Sequence, residues 1–363
     1  MDVKENPTRL VGTPRADLEH FLEGLGEARF RAQQVMRWIY HEGVESFDEM
    51  TNLSKELRLR LEAEASIERI RPAMVDRSTD GSAKLLFELE GNAVAEAVVI
   101  PEDDRTTLCV SSQAGCALAC TFCQTAQMGA GRNLRRDEIV GQVISAIAEA
   151  GGRPITNLVF MGMGEPMLNL PEVIPAIRTL IDPLGPSIVK RRITISTAGV
   201  VPGIRELGEA DLGIGLAVSL NAPEDTLRNE LMPINRRYPI EELVEAAMDY
   251  QRHGSIRRVV TFEYVLLAGV NDTPQHADTL GRLLGRHRCK VNLIPHNPID
   301  GEPYERPSGE AIDAFRRRVN EKVEVVTVRQ NRGGDVAAAC GQLGHRHRRQ
   351  DTAASRDRQD DSK

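Results

Sequence analysis

Three cysteines lie close together in the chain and form its most chemically capable pattern. Cys116, Cys120 and Cys123 have the spacing C-x3-C-x2-C, with Phe122 just before the third cysteine. A tight loop with these gaps can turn three thiolates toward one point, and thiolates are soft ligands that suit iron–sulfur clusters or zinc. A structural zinc site needs four ligands, whereas the next cysteine along the chain is Cys289. Three ligands on a four-iron cluster leave one iron open to a substrate or cofactor.

Small and polar residues follow several strand-like runs of the sequence. Met161-Gly162-Met163-Gly164-Glu165-Pro166 is one such segment, in which glycines let the backbone approach a ligand closely. Glu165 could accept hydrogen bonds from an ammonium group. Three further runs end in Ser196-Thr197, Ser219-Leu220-Asn221 and His296-Asn297. Each end alone is weak evidence, since Ser and Asn commonly cap helices; together they predict polar groups around one edge of a sheet.

Glu96 is the one charged residue in an otherwise apolar run. In Val94-Ala95-Glu96-Ala97-Val98-Val99-Ile100 the period of two places Glu96 on the same face as Val94, Val98 and Ile100. Such a carboxylate lies either at an edge in solvent or in a buried position that suits proton transfer. The pattern alone does not decide between the two.

Three cysteines lie outside the cluster pattern. Cys340 stands in a run of small residues, Ala337-Ala338-Ala339-Cys340-Gly341, which would let the segment lie close to a substrate on a mobile loop. Cys109 lies in a strand-like run that precedes Cys116. A buried, inert thiol is the common alternative for each of them, and it is our interpretation of Cys289.

The composition excludes several classes of protein. The 363 residues are 41% apolar, with a mean hydropathy of -0.32 and no apolar run long enough to span a bilayer. The N-terminal segment lacks the apolar core of a signal peptide, and six cysteines are too few for a disulfide scaffold. We therefore expect a cytoplasmic protein with no membrane partner.

The formal charge of -7 argues against a generally basic nucleic-acid binder. Any RNA contact must then come from local basic patches. The candidates are Arg132/Arg135/Arg136, Lys190/Arg191/Arg192, Arg257/Arg258 and Arg316/Arg317/Arg318.

The spacing of apolar residues, which predicts the helices and strands that position these side chains, changes along the chain. Residues 15–66 have helical spacing and predict a small N-terminal helical accessory domain. Residues 67–104 predict a β-strand linker, with a turn at Gly91-Asn92. From 105 to 343 strands and helices alternate, which predicts a parallel sheet in a partial β/α barrel. The cysteine loop would then lie at the carboxyl edge of the barrel, where active sites occur in such folds. Residues 344–363 predict a disordered tail.

These motifs resemble those of a known family. The cysteine spacing resembles that of radical S-adenosylmethionine (SAM) enzymes, and Gly164-Glu165-Pro166 is similar to their G-E-P motif. From about residue 18 to 343 the chain resembles the RlmN-type radical SAM methyltransferases, which methylate C2 of adenine in RNA. The resemblance includes Met50 to Lys55, Ile100-Pro101-Glu102, Val110 to Gln113 and Ala339-Cys340-Gly341-Gln342. Asn221 and His296 depart from it, since the family usually has a histidine and an aromatic residue there.

The resemblance implies a role for each candidate residue. Cys116, Cys120 and Cys123 would hold a 4Fe–4S cluster whose open iron binds SAM and whose electron cleaves it to a deoxyadenosyl radical. Contacts with SAM would come from Gly164, Glu165, Ser196, Ser219, Leu220, Asn221 and Asn297. Cys340 would carry the methyl group, Glu96 would accept the C2 proton, and Cys109 would resolve the adduct by forming a disulfide with Cys340.

The resemblance also implies the partners. The substrates would be 23S rRNA at the peptidyl-transferase centre and some tRNAs at the adenine 3′ of the anticodon, with electrons from a flavodoxin-like donor. Two alternatives stay open at this point. One is the related adenine-C8 methyltransferase activity, which uses both cysteines; the other is a non-catalytic module with a structural zinc.

Overall fold

The computed structural model describes residues 7–253, 258–299 and 301–344. Eleven α-helices and fourteen strands lie in these ranges. The helices are α1 (Arg15–Gly24), α2 (Arg31–Arg37), α3 (Lys55–Glu64), α4 (Gln124–Gln127), α5 (Arg136–Glu149), α6 (Leu170–Ile181), α7 (Val201–Glu209), α8 (Asp225–Leu231), α9 (Ile240–His253), α10 (Pro274–Leu284) and α11 (Gly309–Asn320). None of the helices described is long and apolar enough to cross a membrane.

Ten of the strands form one mixed sheet in the order β14-β13-β12-β11-β10-β9-β6-β5-β4-β3. Its strands are β3 (Met74–Arg77), β4 (Ala83–Leu89), β5 (Ala93–Pro101), β6 (Thr106–Cys109), β9 (Asn157–Phe160), β10 (Ile193–Thr197), β11 (Gly215–Ser219), β12 (Thr261–Leu266), β13 (Lys290–Pro295) and β14 (Val325–Val328). From β6 to β14 every pair is parallel, whereas β3, β4 and β5 pair antiparallel and join the sheet at β6. The predicted partial β/α barrel is thus confirmed.

Two short ribbons complete the strands. β1 (Thr8–Arg9) pairs in parallel with β2 (Ala65–Ser66), and β7 (Gln113–Ala114) pairs antiparallel with β8 (Arg132–Asn133). The first ribbon closes the helical part of the chain, and the second lies at the base of the cysteine loop.

Successive side chains along each barrel strand point to opposite faces of the sheet. One set packs in the apolar core, and the other lines the inside of the barrel. In β12 the side chains of Phe262, Tyr264 and Leu266 are fully buried in the main apolar core. Thr261 and Glu263, which alternate with them along the strand, line the inside of the barrel instead. This period of two therefore leaves a polar interior within an apolar shell.

The N-terminal helices α1 to α3 share the apolar core of the barrel. Leu18, Leu22 and Leu57 belong to the same cluster as the barrel core, and Thr179 of α6 donates a hydrogen bond to Gly12 O at 2.9 Å. The strands predicted for residues 67–104 belong to the barrel sheet itself. The division of the chain at residues 66 and 104 stays a prediction, and residues 345–363 of the predicted tail lie outside the described residues.

The segment 333–344, here called the Cys340 segment, joins the two sides of the open sheet. It follows β14 at one edge and contacts the β3–β4 turn at the other. Asp335 accepts hydrogen bonds from Ser78 Oγ at 2.5 Å and Thr79 N at 3.0 Å, and Asp80 Oδ2 accepts one from Gly333 N at 2.8 Å. These contacts place Cys340 over the mouth of the barrel.

Candidate active site

The cysteine loop leaves the sheet where β6 ends at Cys109. Cys116 N donates to Gly129 O at 2.9 Å, which closes the base of the loop beside the β7–β8 ribbon. Farther along, Thr121 N donates to Leu231 O at 3.0 Å and Gln124 N donates to Gly341 O at 2.8 Å. The loop is therefore held by the barrel on one side and by the Cys340 segment on the other.

The three loop thiols line one cavity of about 170 Å³, here called the inner cavity. Burial raises the pKa of Cys116 to about 11 and raises the pKa values of Cys120 and Cys123. At Cys116 and Cys120 the nearby Cys123 adds to this effect of burial. The three sulfurs thus lie near one another and hold their protons until a metal displaces them.

This donor set fits an iron–sulfur cluster better than a single metal ion. Among the described residues no group of three or more His, Cys, Asp or Glu side chains converges as a single ion requires. In a cluster each thiolate binds a different iron, so the sulfurs need only surround a common cavity. Cys340 also lines the inner cavity, so its role must be separated from that of a ligand by experiment.

The turn after β9 brings a glycine and a carboxylate to the same cavity. Gly164 has φ +97°, and a Cβ there would lie 2.4 Å from Gln113 Cβ, so only glycine fits. Glu165 is 3% exposed; its carboxylate accepts hydrogen bonds from Ala198 N at 2.7 Å and Met167 N at 3.1 Å. Burial raises the pKa of Glu165 to about 7. Both residues line the inner cavity.

Polar residues at the ends of β10, β11 and β13 complete the wall of the inner cavity. The predicted SAM contacts found there are Ser196, Ser219, Asn221 and Asn297, with His296 beside them. Two buried polar atoms in this wall, Asn297 Oδ1 and His296 Nε2, have no hydrogen-bond partner within the described structure. Unpaired buried polar groups are costly, so they fit a wall that binds a polar ligand such as SAM.

Leu220 is the predicted SAM contact that the structure does not bring to this wall. It is fully buried, and its carbonyl accepts a hydrogen bond from Arg228 Nε at 2.9 Å. Leu220 N donates to Glu263 O at 2.9 Å. The peptide groups of Leu220 therefore support the strand end rather than face the cavity.

Arg228 of α8 is a buried support that the sequence analysis missed. Its guanidinium donates to Ala198 O at 2.6 Å, Ser219 O at 3.0 Å and Asn235 Oδ1 at 2.8 Å, besides Leu220 O. Burial lowers the pKa of Arg228 to about 10, so it stays charged at neutral pH. Gly199, at φ +114°, makes room for it, since a Cβ there would lie 3.2 Å from Arg228 Nη2. An arginine at helical spacing gives no sequence signal that it points inward.

Cys109 and Cys340 meet in a second, larger cavity of about 660 Å³ inside the barrel, here called the barrel cavity. Burial raises the pKa of Cys109 to about 12, and the nearby Cys340 thiol adds to the rise. All six cysteines are free thiols in this structure. Cys123, Cys340 and Asn297 line both cavities, so the two spaces adjoin at Cys340. Cys289 lies apart in the apolar core, as predicted.

Two charged residues that the sequence analysis did not select lie beside these thiols. Arg329 and Glu263 line both cavities. The nearby Cys340 raises the pKa of Arg329, and burial raises the pKa of Glu263. Arg329 in turn opposes the rise in the pKa of Cys109. Arg329 is thus a cation that acts on both thiols of the barrel cavity.

Glu96 is fully buried, which excludes the solvent-edge alternative for this residue. Its Oε2 accepts a hydrogen bond from Gly344 N at 2.7 Å, and its Oε1 lies 3.8 Å from Lys84 Nζ. Glu96 does not, however, line either of the two cavities described here. Leu343, next to Gly344, does line the barrel cavity, so one layer of the Cys340 segment separates Glu96 from that space.

The basic patches proposed for RNA differ in how far their charge is already neutralised. Arg132 and Arg135 pair with Glu138, and Arg136 pairs with Glu172. In α11, Arg318 pairs with Asp278 and Arg316 with Asp313.

The other two basic candidates are the Lys190 to Arg192 run and the Arg257-Arg258 pair. Lys190, Arg191 and Arg192 are exposed. Arg258 Nη1 donates to Arg191 O at 2.5 Å, whereas Arg257 lies outside the described residues. The basic footprint of an RNA stays a prediction.

Comparisons with known proteins give family matches for two parts of the chain and several similar solved structures. A family model described as the ribosomal RNA large subunit methyltransferase N-terminal domain matches residues 8–67, and the radical SAM superfamily model matches residues 110–280. The crystal structure of a radical SAM methyltransferase from Sphaerobacter thermophilus is 43% identical, with 93% of this chain and 100% of that chain covered and a TM-score of 0.87. A domain of the pyruvate-formate lyase-activating enzyme from Bacteroides vulgatus is 14% identical, with 48% of this chain and 99% of that chain covered and a TM-score of 0.36.

Proposed function

Because this chain belongs to the RlmN-type family of radical SAM methyltransferases, we propose that it methylates C2 of adenine in RNA through an S-methylated Cys340. Family membership makes it an enzyme that uses a 4Fe–4S cluster and SAM, and it implies an RNA substrate. It also excludes the alternative of a non-catalytic zinc module. The finer assignment, to C2 and to a cysteine-borne methyl group, is our proposal.

One observation carries this proposal: Cys109 and Cys340 line the same cavity, and Cys340 also lines the adjoining cavity of the three loop cysteines. C2 of adenine is electron-poor and cannot attack the methyl group of SAM as a nucleophile. A methyl group first placed on a thiol can be activated as a radical instead. The cluster, when bound, would supply the electron that cleaves SAM, and this cleavage would provide the radical that activates the methyl group.

The positions of the residues support the following proposed roles. Cys340 carries the methyl group, and Asn297 Nδ2, which donates to Cys340 O at 3.1 Å, holds that cysteine between the two cavities. Gly164, Glu165, Ser196, Ser219, Asn221 and Asn297 form the polar wall that binds SAM. Leu220 supports that wall from behind. Glu96 accepts the C2 proton, which needs the Gly344 end of the Cys340 segment to move aside.

Cys109 completes the cycle by attacking Cys340 Sγ. An S–S bond forms as the bond between Cys340 Sγ and the transferred carbon breaks. The electron pair of the broken bond stays on that carbon, which takes up a proton to become the methyl group. A dithiol reductant then returns the disulfide to two thiols before the next turnover. The two sulfurs must come within disulfide reach, with Cα atoms about 4.4–6.8 Å apart. Their shared cavity supports that requirement.

The proposed substrates are 23S rRNA at the peptidyl-transferase centre and tRNA at the adenine 3′ of the anticodon, with a flavodoxin-like electron donor. The test is anaerobic reconstitution with iron and sulfide, followed by reaction with labelled SAM and unmodified 23S rRNA or tRNA. Mass analysis of the nucleosides should give 2-methyladenosine. 8-Methyladenosine would favour the C8 alternative, and no methylated adenosine from either RNA would contradict the proposal.

The buried state of Cys109 predicts a pH dependence of the last step. Since burial raises the pKa of Cys109 to about 12, the thiol is almost wholly protonated at neutral pH, and only the thiolate attacks. The groups that face it are Cys340, Arg329 and Glu263. We expect single-turnover product release to accelerate with rising pH, by up to about tenfold per pH unit while the thiolate is scarce. The rate of Cys340 methylation without RNA is the control, and a flat profile for release would show that another step limits it.

A further inference from the structure

Lys84 and Glu96 form a buried ion pair on neighbouring strands. In the register of β4 and β5, Leu86 lies opposite Glu96 and Lys84 lies opposite Val98, so Lys84 is the diagonal neighbour of Glu96 on one face. The Lys84 Nζ to Glu96 Oε1 distance is 3.8 Å, and the two side chains are 1% and 0% exposed. A lysine is almost never fully buried unless it is paired. No role proposed above uses Lys84.

Both members of the pair also touch the Cys340 segment. Lys84 Nζ donates to Ala337 O at 3.5 Å, three residues before Cys340, and Glu96 Oε2 accepts from Gly344 N, four residues after it. Glu96 Oε1 has no hydrogen-bond donor within the described structure, which leaves Lys84 as its charged neighbour. The pair thus contacts the segment on both sides of Cys340.

The Cys340 segment does not depend on Lys84 alone for its position. Asp335 and Asp80 anchor it to the β3–β4 turn, and Gln124 N and Asn297 Nδ2 bind the carbonyls of Gly341 and Cys340. Replacement of Lys84 therefore removes the charge beside Glu96 while several independent contacts still hold the segment. This makes a charge effect separable from a loss of loop structure.

We propose that Lys84 is a positioning residue for proton transfer at C2, because its ammonium group holds the Glu96 carboxylate ready to accept a proton. This inference rests on the proposed function. In the step itself the C2–H bond breaks, the proton moves to the Glu96 carboxylate, and the electron pair stays on the adenine adduct. Glu96 then passes this proton on before the next turnover.

The test compares Lys84→Met and Lys84→Gln with wild type in single turnovers on RNA that carries deuterium or hydrogen at C2. Gln keeps a polar donor in the same pocket but has no charge. We expect both variants to assemble the cluster and methylate Cys340 normally. Both should form product about 10²–10⁴-fold more slowly, the range that general acid–base catalysis supplies. The isotope effect should rise, because proton removal becomes rate-limiting. Lys84→Arg should recover part of the rate.

Asp335→Asn is the matched control, since it weakens the anchor of the Cys340 segment without touching the pair. Its isotope effect should equal that of wild type. A wild-type isotope effect in both Lys84 variants would overturn the inference, as would loss of Cys340 methylation in both, which would make Lys84 a support of the fold. Failure of the proposed function is distinguishable, because wild type itself would then make no 2-methyladenosine.

Discussion

Replacement of Cys109 and of Cys340 by alanine is expected to stop the enzyme at two different steps. Cys340→Ala has no methyl carrier, so neither methylation of the protein nor attachment to RNA should occur. Cys109→Ala can still load the methyl group and form the bond to C2, but no thiol remains to attack Cys340 Sγ. It should accumulate a covalent protein–RNA species, visible as a shifted band on a denaturing gel.

The shared cavity of the two thiols is the physical reason for this expectation. Cys109 is buried at the end of β6 and lines the same cavity as Cys340, and the Cys340 thiol contributes to the raised pKa of Cys109. Product formation should fall below detection in both variants. Only the step at which material accumulates distinguishes them.

Cys289→Ala is the matched control for both variants. Cys289 is a buried thiol in the main core, where its Sγ donates to Leu284 O at 3.7 Å, remote from both cavities. It should methylate RNA as wild type does. Iron content must be measured in all three, because Cys340 also lines the inner cavity. Loss of the cluster in Cys340→Ala would make Cys340 a ligand, and the same outcome in both thiol variants would contradict their assigned roles.

Much of the barrel follows from local patterns in the sequence. The alternation of apolar and polar side chains predicts strands from Val259 to Leu266 and from Val291 to Pro295, which agree with β12 and β13 to within two residues. Helical spacing predicts a helix from Ile240 to His253, and α9 has those bounds. The loop cysteines and the turn at Glu165 both follow parallel strands, so the topology brings them to the same edge.

The supports of the site are not visible in local patterns. Lys84 is an unremarkable residue in a strand until the register with β5 puts it diagonal to Glu96. The contacts of Asp335 with Ser78 and Thr79 join positions more than 250 residues apart in sequence. Period and propensity describe neighbours along the chain, whereas these contacts depend on how the open sheet curves until its two edges are bridged. For the same reason, local patterns do not predict that the Arg228 side chain points into the protein.

Arg228→Met is expected to be the most destabilising single change near the site. The side chain is fully buried, and its guanidinium satisfies Ala198 O, Ser219 O, Leu220 O and Asn235 Oδ1. Methionine fills much of the volume but donates nothing, so Ala198 O, Ser219 O and Asn235 Oδ1 lose this donor, whereas Leu220 O keeps the hydrogen bond from Ala222 N at 2.8 Å. Each such acceptor costs about 1–3 kcal/mol. Two effects offset part of this cost: the surrounding structure relaxes, and the variant no longer has to bury a charged guanidinium. We therefore expect the free energy of unfolding to fall by about 3–5 kcal/mol.

Thermal unfolding of the anaerobic protein measures this loss. A change of that size should lower Tm by roughly 6–20 °C, if each kcal/mol lowers it by about 2–4 °C as in domains of 150–250 residues. Arg237→Met is the matched control, because Arg237 is exposed and stacks on the ring of Tyr238; its Tm should stay close to that of wild type. Arg228→Lys keeps the charge but cannot reach all four acceptors, and it should fall between the two.

Arg228→Met should also weaken SAM binding, by more than the loss of stability alone would explain. Arg228 ties together the ends of β10 and β11, where Ala198, Ser219 and Asn221 form part of the inner cavity wall. The backbone ladder still pairs β10 with β11 up to Thr197 and Val218, but the segments beyond these residues lose their common donor, so part of the binding free energy must order them. We expect an increased Kd for SAM at a temperature where Arg228→Met is fully folded, with Arg237→Met unchanged. Equal Tm values for Arg228→Met and Arg237→Met, together with equal affinities for SAM, would show that the guanidinium is not what holds these strand ends together.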